Sequence, residues 1–359
     1  MAYYYILLLV QAVTISAIAL AMSEREGDQL RCQSQGDPPT LCERHTQWTC
    51  DQLLMEVPAF SRIYKKRPIE HNRHGMGVNH AFSLFFTLRK LRPTHVIESG
   101  VFRGQGTYLI RKTLGPQVHI YCIDPRTQRK VLAFRDSNPN TTYFMGGTNF
   151  TDFGSLPWKS LIPSLDDRMN TLVVLDDHMS SIKRVQQMLM NDFTNLWYDD
   201  NWKREKVDVY SFNTICSHVS KADKTVLYQD NFGTLKMSIS LDEHNRNVAF
   251  MQYVLQEYYE FPALFDICQN FDSSKPNRSC MSLSQAKRLW AYDLGAKSPM
   301  MDIDFMTFFP SYVKLIQAPE ENDTFNYIRQ STTPMKLKGK VMTSAGGLKS
   351  NNIYNISLS

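Results

Sequence analysis

The segment Val96–Thr107 constrains the fold of this chain more than any other part of its sequence. It reads VIESGVFRGQGT, so apolar residues lead to an acid, Glu98, and three glycines then lead into a helical pattern. Glycines in such a turn allow the backbone to approach a ligand closely. The segment therefore predicts a strand that turns into a helix around a ligand-binding loop.

Strand and helix patterns alternate on both sides of this turn. Strands are expected at 94–97, 118–123, 141–145, 172–175 and 195–198, and helices at 80–91, 107–114, 126–135, 182–191 and 243–260. Strands that alternate with helices form a parallel sheet covered on both faces. The sequence thus predicts an α/β fold whose sheet is doubly wound, mostly parallel and Rossmann-like.

The N-terminal residues indicate a cellular compartment. Residues 2–22 are almost wholly apolar and would span about 30 Å as a helix. Ala17, Ala19 and Ala21 form the small-x-small pattern that precedes signal cleavage. We therefore expect a signal peptide or an uncleaved signal anchor over 1–21. The expected location is the secretory pathway, either secreted or in the Golgi or endoplasmic reticulum lumen, with one type II membrane anchor if cleavage does not occur.

Cysteines and glycosylation motifs agree with that compartment. The chain has seven cysteines, and Cys122 lies within a strand pattern, where we expect a free, buried thiol. The other six could form disulfides in an oxidising lumen. Asn-x-Ser/Thr motifs, which predict a glycoprotein, begin at Asn140, Asn149, Asn277, Asn322 and Asn355.

Charge and known motifs exclude some classes of function. Lys and Arg number 40 against 35 Asp and Glu, a formal charge of +5 without long runs of one sign. This pattern is not that of a nucleic-acid-binding arm, so no nucleic-acid partner is expected. The sequence also contains no Gly-x-Ser-x-Gly elbow and no Walker loop, the marks of hydrolases and phosphate-loop proteins.

A second acid follows the second predicted strand. Asp124 lies 24 residues after Gly100, the position at which a carboxylate binds a ribose diol in nucleotide-binding sheets. The glycines fall at 100, 104 and 106, which is not the Gly-x-Gly-x-x-Gly spacing of dinucleotide-binding proteins. The pattern favours a nucleoside-containing ligand other than a dinucleotide.

Polar residues also follow the fourth and fifth predicted strands. Asp176, Asp177 and His178 come after the fourth, and Asp200 and Asn201 come after the fifth. Because the carboxyl ends of parallel strands meet at one edge of a sheet, these side chains should converge near the glycine loop. Such oxygen ligands suit Mg²⁺.

These motifs together resemble a known family of enzymes. The glycine turn and its two acids are similar to the first motif of class I S-adenosylmethionine-dependent methyltransferases, Glu-x-Gly-x-x-x-Gly-x-Gly. The Asp-His and Asp-Asn pairs resemble those of metal-dependent O-methyltransferases, including the catechol type. The turn is also similar to that of cephalosporin-hydroxylase-like and sugar O-methyltransferase-like proteins. The resemblance covers about residues 80–265.

The resemblance implies a cofactor site. Glu98, Gly100, Gly104 and Gly106 would face the methionine part of S-adenosylmethionine, and Asp124 would bind its ribose hydroxyls. The residue patterns along the chain, together with this resemblance, predict a domain division. The division is 1–21 signal or anchor, 22–78 polar Cys-containing stem or cap, 79–270 methyltransferase-like domain, 271–335 C-terminal extension and 336–359 polar tail.

The resemblance further implies a metal site and leaves the base open. Mg²⁺ would be held by Asp176 or Asp177 together with Asp200 and Asn201. The catechol type uses a Lys three residues beyond the metal-binding Asp as its base, but Met179 and Ser180 occupy those spacings here. His178 and Lys183 are the candidates that remain.

The expected function is therefore O-methylation in or beyond the secretory pathway. The acceptor would be a hydroxyl of a glycan or a small molecule, an inference drawn from the compartment. Two alternatives stay open. One is a luminal metal-dependent glycosyltransferase, and the other is a secreted protein that keeps the methyltransferase fold without catalysis.

Overall fold

The computed structural model describes residues 48–69, 72, 75–126, 133–199, 201, 210–216, 225–229, 236–261 and 310–317. The predicted signal or anchor segment, the Cys-bearing residues before 48 and the polar tail lie outside these ranges. Within the described ranges, no helix is long and apolar enough to cross a membrane.

Eight α-helices, two single-turn 3₁₀ helices at Gly147–Asn149 and Phe153–Ser155, and nine strands make up the described structure. The helices are α1 Cys50–Tyr64, α2 Val78–Leu91, α3 Gln105–Leu114, α4 Trp158–Leu161, α5 Leu165–Met169, α6 Ser181–Met190, α7 Phe212–Cys216 and α8 Leu241–Val254. The strands are β1 His95–Ser99, β2 His119–Asp124, β3 Thr141–Met145, β4 Leu172–Leu175, β5 Asn195–Tyr198, β6 Thr225–Gln229, β7 Lys236–Ser240, β8 Leu255–Glu260 and β9 Ser311–Leu315.

Seven strands form the main sheet, in the order β3-β2-β1-β4-β5-β9-β8. β1 pairs in parallel with β2 on one side and with β4 on the other, and β9 is antiparallel to both of its neighbours. The predicted doubly wound, mostly parallel sheet is confirmed. Because the strand order reverses between β1 and β4, their carboxyl ends border the crevice in which open α/β sheets bind ligands.

Helices cover both faces of the sheet. Strand side chains alternate between the faces, so Val96 and Leu172 pack with α1, α2 and α3, while Ile97 and Val173 pack with α6 and α8. This two-sided burial explains why β4 and β5 are short, mainly apolar runs. It also fixes their carboxyl ends at one edge.

Two predicted helices differ from the structure. Over 243–260, the helix ends at Val254, and the following residues form β8 because Tyr258 and Tyr259 pair with β9. Over 126–135, the middle of the predicted helix lies outside the described residues. Its last part is not helical, since the N–H groups of Ala133 and Phe134 donate to the carbonyl of Arg103.

Two elements fall outside the segment that resembles methyltransferases. α1 lies within the predicted stem, yet Leu53, Val57 and Phe60 are buried at helical spacing, and the helix contacts α2 and α3. β9 lies within the predicted C-terminal extension and pairs in the main sheet between β5 and β8. Both segments therefore contribute to the same core as the sheet.

Candidate functional site

The carboxyl ends of β1, β4 and β5 lie level with one another. Ser99, Leu175 and Tyr198 are register partners across the three strands. The ladder continues one step further, because the N–H of Asp176 donates to the Ser99 carbonyl at 2.8 Å and that of Asp199 to the Leu175 carbonyl at 2.9 Å. The acids that follow these strands therefore meet at one edge of the sheet.

Each of the three glycines of the loop stands at a position where a larger residue would clash or would strain the backbone. Gly100 has φ +96°, and a Cβ there would lie 1.8 Å from the carbonyl oxygen of Asp176. Gly104 has φ +89° and precedes α3. A Cβ on Gly106 would lie 2.2 Å from Oε1 of Glu98. The turn can bring its backbone this close to β4 and to Glu98 only with glycine at these positions.

Glu98 is a buried carboxyl group beneath the loop, with 2% of its surface exposed. Thr107 Oγ1 donates to its Oε2 at 2.5 Å, and Cys122 Sγ lies 3.7 Å from the same oxygen. Burial raises the pKa of Glu98 to about 8, although the hydrogen bonds from Thr107 and Cys122 act in the opposite direction. Glu98 is therefore protonated near neutral pH. Cys122 is a buried thiol, as predicted.

Asp124 is fully buried and bound by the loop itself. The N–H groups of Val101 and Phe102 donate to Oδ2 at 3.0 and 2.8 Å. Arg126 Nε donates to Oδ1 at 2.8 Å, and Nη2 donates to Oδ2 at 2.5 Å. Burial acts to raise the pKa of Asp124, but the hydrogen bonds from Arg126 and the backbone outweigh it, so the pKa lies below its ordinary value. The predicted ribose-binding carboxylate is ionised and covered by Arg126.

Gln105 stands between the last two glycines of the loop and is the first residue of α3. Only 3% of its surface is exposed. Among the described residues, neither Nε2 nor Oε1 of its side chain has a hydrogen-bond partner. A buried amide with both groups unpaired is unusual, because more than about nine in ten such groups are satisfied in native proteins.

Asp177 is held by two neighbours. Ser99 Oγ donates to its Oδ2 at 2.6 Å, and Arg184 Nη2 lies 2.7 Å from the same oxygen. Arg184 is buried and also binds both carboxylate oxygens of Asp152, at 2.9 and 3.0 Å. Burial acts to lower the pKa of Arg184, but the two carboxylates outweigh it and raise this pKa. Asp177 is thus one half of an internal ion pair.

The other residues predicted after β4 lie nearer to solvent. Asp176 is half-buried, and the ion pair with Asp124, together with the charge of Asp176, raises the pKa of Arg126. His178 is exposed and has φ +55°, in the left-handed region. Lys183 is exposed on the first turns of α6. The two candidate bases therefore lie on the outer side of this edge.

A buried His–Asp pair lies at the end of β5. Nδ1 of His80, on the first turn of α2, is 2.6 Å from Oδ1 of Asp199. The start of α2 also reaches the glycine loop, because Met76 Cε lies 3.4 Å from the Cβ position built at Gly106. The segment that carries His80 therefore extends from the glycine loop to the end of β5.

Asn201 is buried and bound within the protein. Its Nδ2 donates to the hydroxyl of Tyr258 at 2.9 Å, and its Oδ1 accepts from the N–H of Asn213 at 2.9 Å. These bonds tie the end of β5 to β8 and to the first turn of α7. The amide acts as a bridge between these elements.

The described residues do not fit the predicted Mg²⁺ site. They contain no group of three or more His, Cys, Asp or Glu side chains placed to hold a metal ion. Asp177 is paired with the cation of Arg184, and the amide of Asn201 is bound on both sides, whereas Mg²⁺ requires carboxylates directed at the ion. Asp200 lies outside the described residues.

Four residues of this edge were not predicted from the sequence. His80 and Arg184 lie on helices and meet the edge through contacts between distant parts of the chain. Arg126 follows Asp124 by two residues, and Gln105 lies between glycines of the predicted loop. For Arg126 and Gln105, the sequence did offer a signal, because Arg126 lies close to Asp124 and Gln105 lies within the glycine loop.

Comparison with known proteins places few limits on the function. No family model matches the chain, and no curated protein matches it. Among solved structures, the apo structure of CmcI-N160 is similar over 46% of this chain and 70% of its own, at 15% identity and a TM-score of 0.27. A cyclopropane-fatty-acyl-phospholipid synthase-like protein from Lactobacillus casei is similar over 71% and 99%, at 11% identity and a TM-score of 0.29. Likenesses this weak decide neither fold nor activity.

Proposed function

We propose that this protein is an S-adenosylmethionine-dependent methyltransferase that acts on a hydroxyl group. The observation that carries the proposal is the arrangement of Glu98 and Asp124 around the glycine loop at the switch point of the sheet. Glu98 lies against the loop, and Asp124 accepts hydrogen bonds from its backbone. In doubly wound sheets this is where a nucleoside ligand binds.

The sheet favours this reading over a dinucleotide-binding enzyme. A dinucleotide-binding sheet has six strands in the order 3-2-1-4-5-6 and a Gly-x-Gly-x-x-Gly turn. Here the antiparallel strand β9 lies between β5 and β8, and the glycines fall at 100, 104 and 106. Neither feature suits a pyrophosphate-linked dinucleotide.

The charge of the edge favours the same cofactor over a nucleotide sugar. S-adenosylmethionine carries a sulfonium and an ammonium group and no phosphate, so it needs no free cation at this edge. A nucleotide sugar carries a diphosphate and needs cations. Arg126 and Arg184 at this edge are already paired with Asp124 and with Asp177.

The reaction follows from the cofactor chemistry. S-adenosylmethionine held at the glycine loop and Asp124 would supply an electrophilic methyl group to the acceptor oxygen, and its sulfur would keep the electron pair of the broken carbon–sulfur bond. The hydroxyl proton must pass to a base. His80, oriented by Asp199, joins His178 and Lys183 as a candidate for that role. No step is assigned to Mg²⁺, since Asp177 and Asn201 are engaged.

The compartment and the acceptor belong to the same proposal. Residues 1–21 read as a signal or an anchor, so we place the enzyme in the secretory pathway or outside the cell. A glycan or a secreted small molecule is then the expected acceptor. In that compartment, disulfides and N-linked glycans are also expected on this protein.

One observation favours the non-catalytic alternative. Arg126 donates hydrogen bonds to both carboxylate oxygens of Asp124. A protein that has this fold but binds no cofactor could keep this ion pair permanently. The side chain of Arg126 is 44% exposed and therefore has room to move away from the carboxylate. The two readings differ in whether a cofactor can replace Arg126.

Calorimetric titration of the full chain distinguishes a methyltransferase from a glycosyltransferase and from a non-catalytic protein. S-adenosylhomocysteine should bind with one-to-one stoichiometry, and a uridine diphosphate sugar should not. Asp124→Ala should weaken this binding by removing charge-assisted hydrogen bonds worth about 1.5–3 kcal/mol. Binding of the nucleotide sugar alone would support a glycosyltransferase, and binding of neither would support the non-catalytic protein.

A further inference from the structure

A single nitrogen atom of Arg184 lies between two carboxylate groups. Its Nη2 is 2.7 Å from Oδ2 of Asp177 and 2.9 Å from Oδ1 of Asp152. Asp177 follows β4, whereas Asp152 lies in the segment after β3, directly before the turn Phe153–Ser155. Two carboxylates that converge on one point repel each other unless a cation lies between them. Here that cation is a side chain of the protein itself.

The guanidinium group of Arg184 is held from several sides. Nη1 donates to Oδ2 of Asp152 at 3.0 Å and to Oε1 of Gln187 at 2.7 Å. The ring centre of Phe153 lies 5.5 Å from the guanidinium carbon. Only 2% of the Arg184 side chain is exposed. Because the planar guanidinium is already paired with both carboxylates in the folded protein, a divalent cation would have to displace it.

Asp152 carries its negative charge in this cluster. Burial acts to raise the pKa of Asp152, but the hydrogen bonds and the charge of Arg184 outweigh it, and the charge of Lys183 acts in the same direction. The pKa therefore lies below its ordinary value. Carboxylate oxygens of this kind are the ligands that Mg²⁺ and Mn²⁺ prefer. The point between Asp152 and Asp177 thus has the ligand chemistry of a divalent-cation site, with a guanidinium nitrogen at its centre.

We propose that Arg184 takes the place of a divalent metal ion at the end of β4, by bridging the carboxylates of Asp152 and Asp177. The resemblance to metal-dependent O-methyltransferases implied a metal at this position, so the inference replaces that expectation. Chemistry in the crevice then needs no metal bound to Asp177. The inference goes beyond the proposed function and stands whether or not the protein binds S-adenosylmethionine.

The first test compares the full-length wild type with Asp177→Asn. Millimolar Mn²⁺, with EDTA as the metal-free reference, should change the melting temperature of both proteins equally or of neither, because no cation reaches Asp177. Binding of Mn²⁺ followed by electron paramagnetic resonance should also be the same for the two proteins. A stabilisation by Mn²⁺ that is present in the wild type and absent from Asp177→Asn would overturn the proposal.

The second test removes the bridging cation. Arg184→Ala leaves the two carboxylates facing each other and should lower the melting temperature in EDTA. The side chain of Asp152 is 35% exposed, so an ion from solvent can reach the pair. Millimolar Mn²⁺ should raise the melting temperature of this variant by at least about 3 °C. The rise should disappear in the double variant with Asp152→Asn, and a folded Arg184→Ala that does not respond to Mn²⁺ would contradict the bridge.

Arg168→Ala is the matched control. Arg168 is also buried, but among the described residues its Nη2 contacts one carboxylate, Asp192, at 3.1 Å, and its Nη1 donates to main-chain carbonyls. This variant should lose stability as well, yet Mn²⁺ should not restore it, because no pair of carboxylates is left behind. Equal restoration of both variants by Mn²⁺ would overturn the assignment. If Arg184→Ala does not fold, the comparison of the wild type with Asp177→Asn still decides the outcome.

Discussion

Arg126 holds the carboxylate of Asp124 in a two-pronged ion pair, with Nε 2.8 Å from Oδ1 and Nη2 2.5 Å from Oδ2. The guanidinium also lies 4.8 Å from the ring centre of Phe102, at the start of the glycine loop. A ribose diol that binds Asp124 must replace this guanidinium. Under the proposed function, cofactor affinity would therefore be set by a competition between the ribose and Arg126.

Removal of that competitor should increase cofactor affinity. Arg126→Gln should bind S-adenosylhomocysteine more tightly, by up to about fivefold, the range expected for a partly exposed ion pair. Calorimetric titration measures the change. Arg135→Gln is the control, since Arg135 has the same charge but packs on the ring of Tyr143. Weaker binding by Arg126→Gln would mean that Arg126 contacts the ligand itself.

A methyl group on the loop should disturb Glu98. Gly106→Ala places a Cβ 2.2 Å from Oε1 of Glu98, so the buried carboxyl group must move, and overpacking of this kind costs about 1–3 kcal/mol. Gly77→Ala is the control, because no described atom lies within 4 Å of a Cβ there and φ is −80°. Urea unfolding should show a larger loss of stability for the first variant, since Gly77→Ala changes only the N-cap of α2. Equal stabilities would contradict the packing of Glu98 against the loop.

Glu98 should make the stability of the protein depend on pH. Its folded pKa, about 8, lies above its ordinary 4.5, so its stabilising contribution is complete below pH 4.5 and is lost as the pH rises through 8. Glu98→Gln, a neutral analogue, removes that dependence.

Urea unfolding of both proteins between pH 4.5 and 8.5 measures the effect. The wild type should lose up to about 4 kcal/mol relative to Glu98→Gln across this range. A difference that stays constant with pH would show that Glu98 has the same ionisation in the folded and unfolded protein.

The sequence predicted the sheet well and the side-chain network poorly. β3, β4 and β5 have the predicted bounds, and for β4 and β5 the reason is that each is buried along its whole length and bounded by polar residues. The predicted convergence of Asp124 and Asp176 at one edge follows from parallel topology alone. The ion pairs between these side chains could not be predicted from topology, since Arg184 reaches Asp177 only through the packing of α6.

Local patterns also misled where tertiary pairing decided the structure. Residues 255–260 continue a helical pattern, but pairing with β9, more than 50 residues later in the chain, makes them a strand. The sequence predicts a polar stem over the residues of α1, although Leu53, Val57, Phe60 and Tyr64 have helical spacing and are buried. In both cases the deciding partner is distant in sequence.

The His80–Asp199 pair should be strongly coupled. His80→Leu leaves the buried carboxylate of Asp199 without this partner and should cost about 3–5 kcal/mol, whereas the double variant with Asp199→Asn should cost less than the sum of the single changes. Urea unfolding of the four proteins in the cycle measures the coupling. Cofactor affinity should stay unchanged in Asp199→Asn, which lies at β5. Additive losses would show that the two side chains do not interact in solution.

The most direct test of the account is a crystal structure of the full chain with S-adenosylhomocysteine. The account predicts that the ligand lies over the glycine loop, with its ribose hydroxyls on Asp124 and the guanidinium of Arg126 displaced from the carboxylate. A ligand bound elsewhere on the protein, or a complex in which Arg126 still holds both oxygens of Asp124, would contradict it.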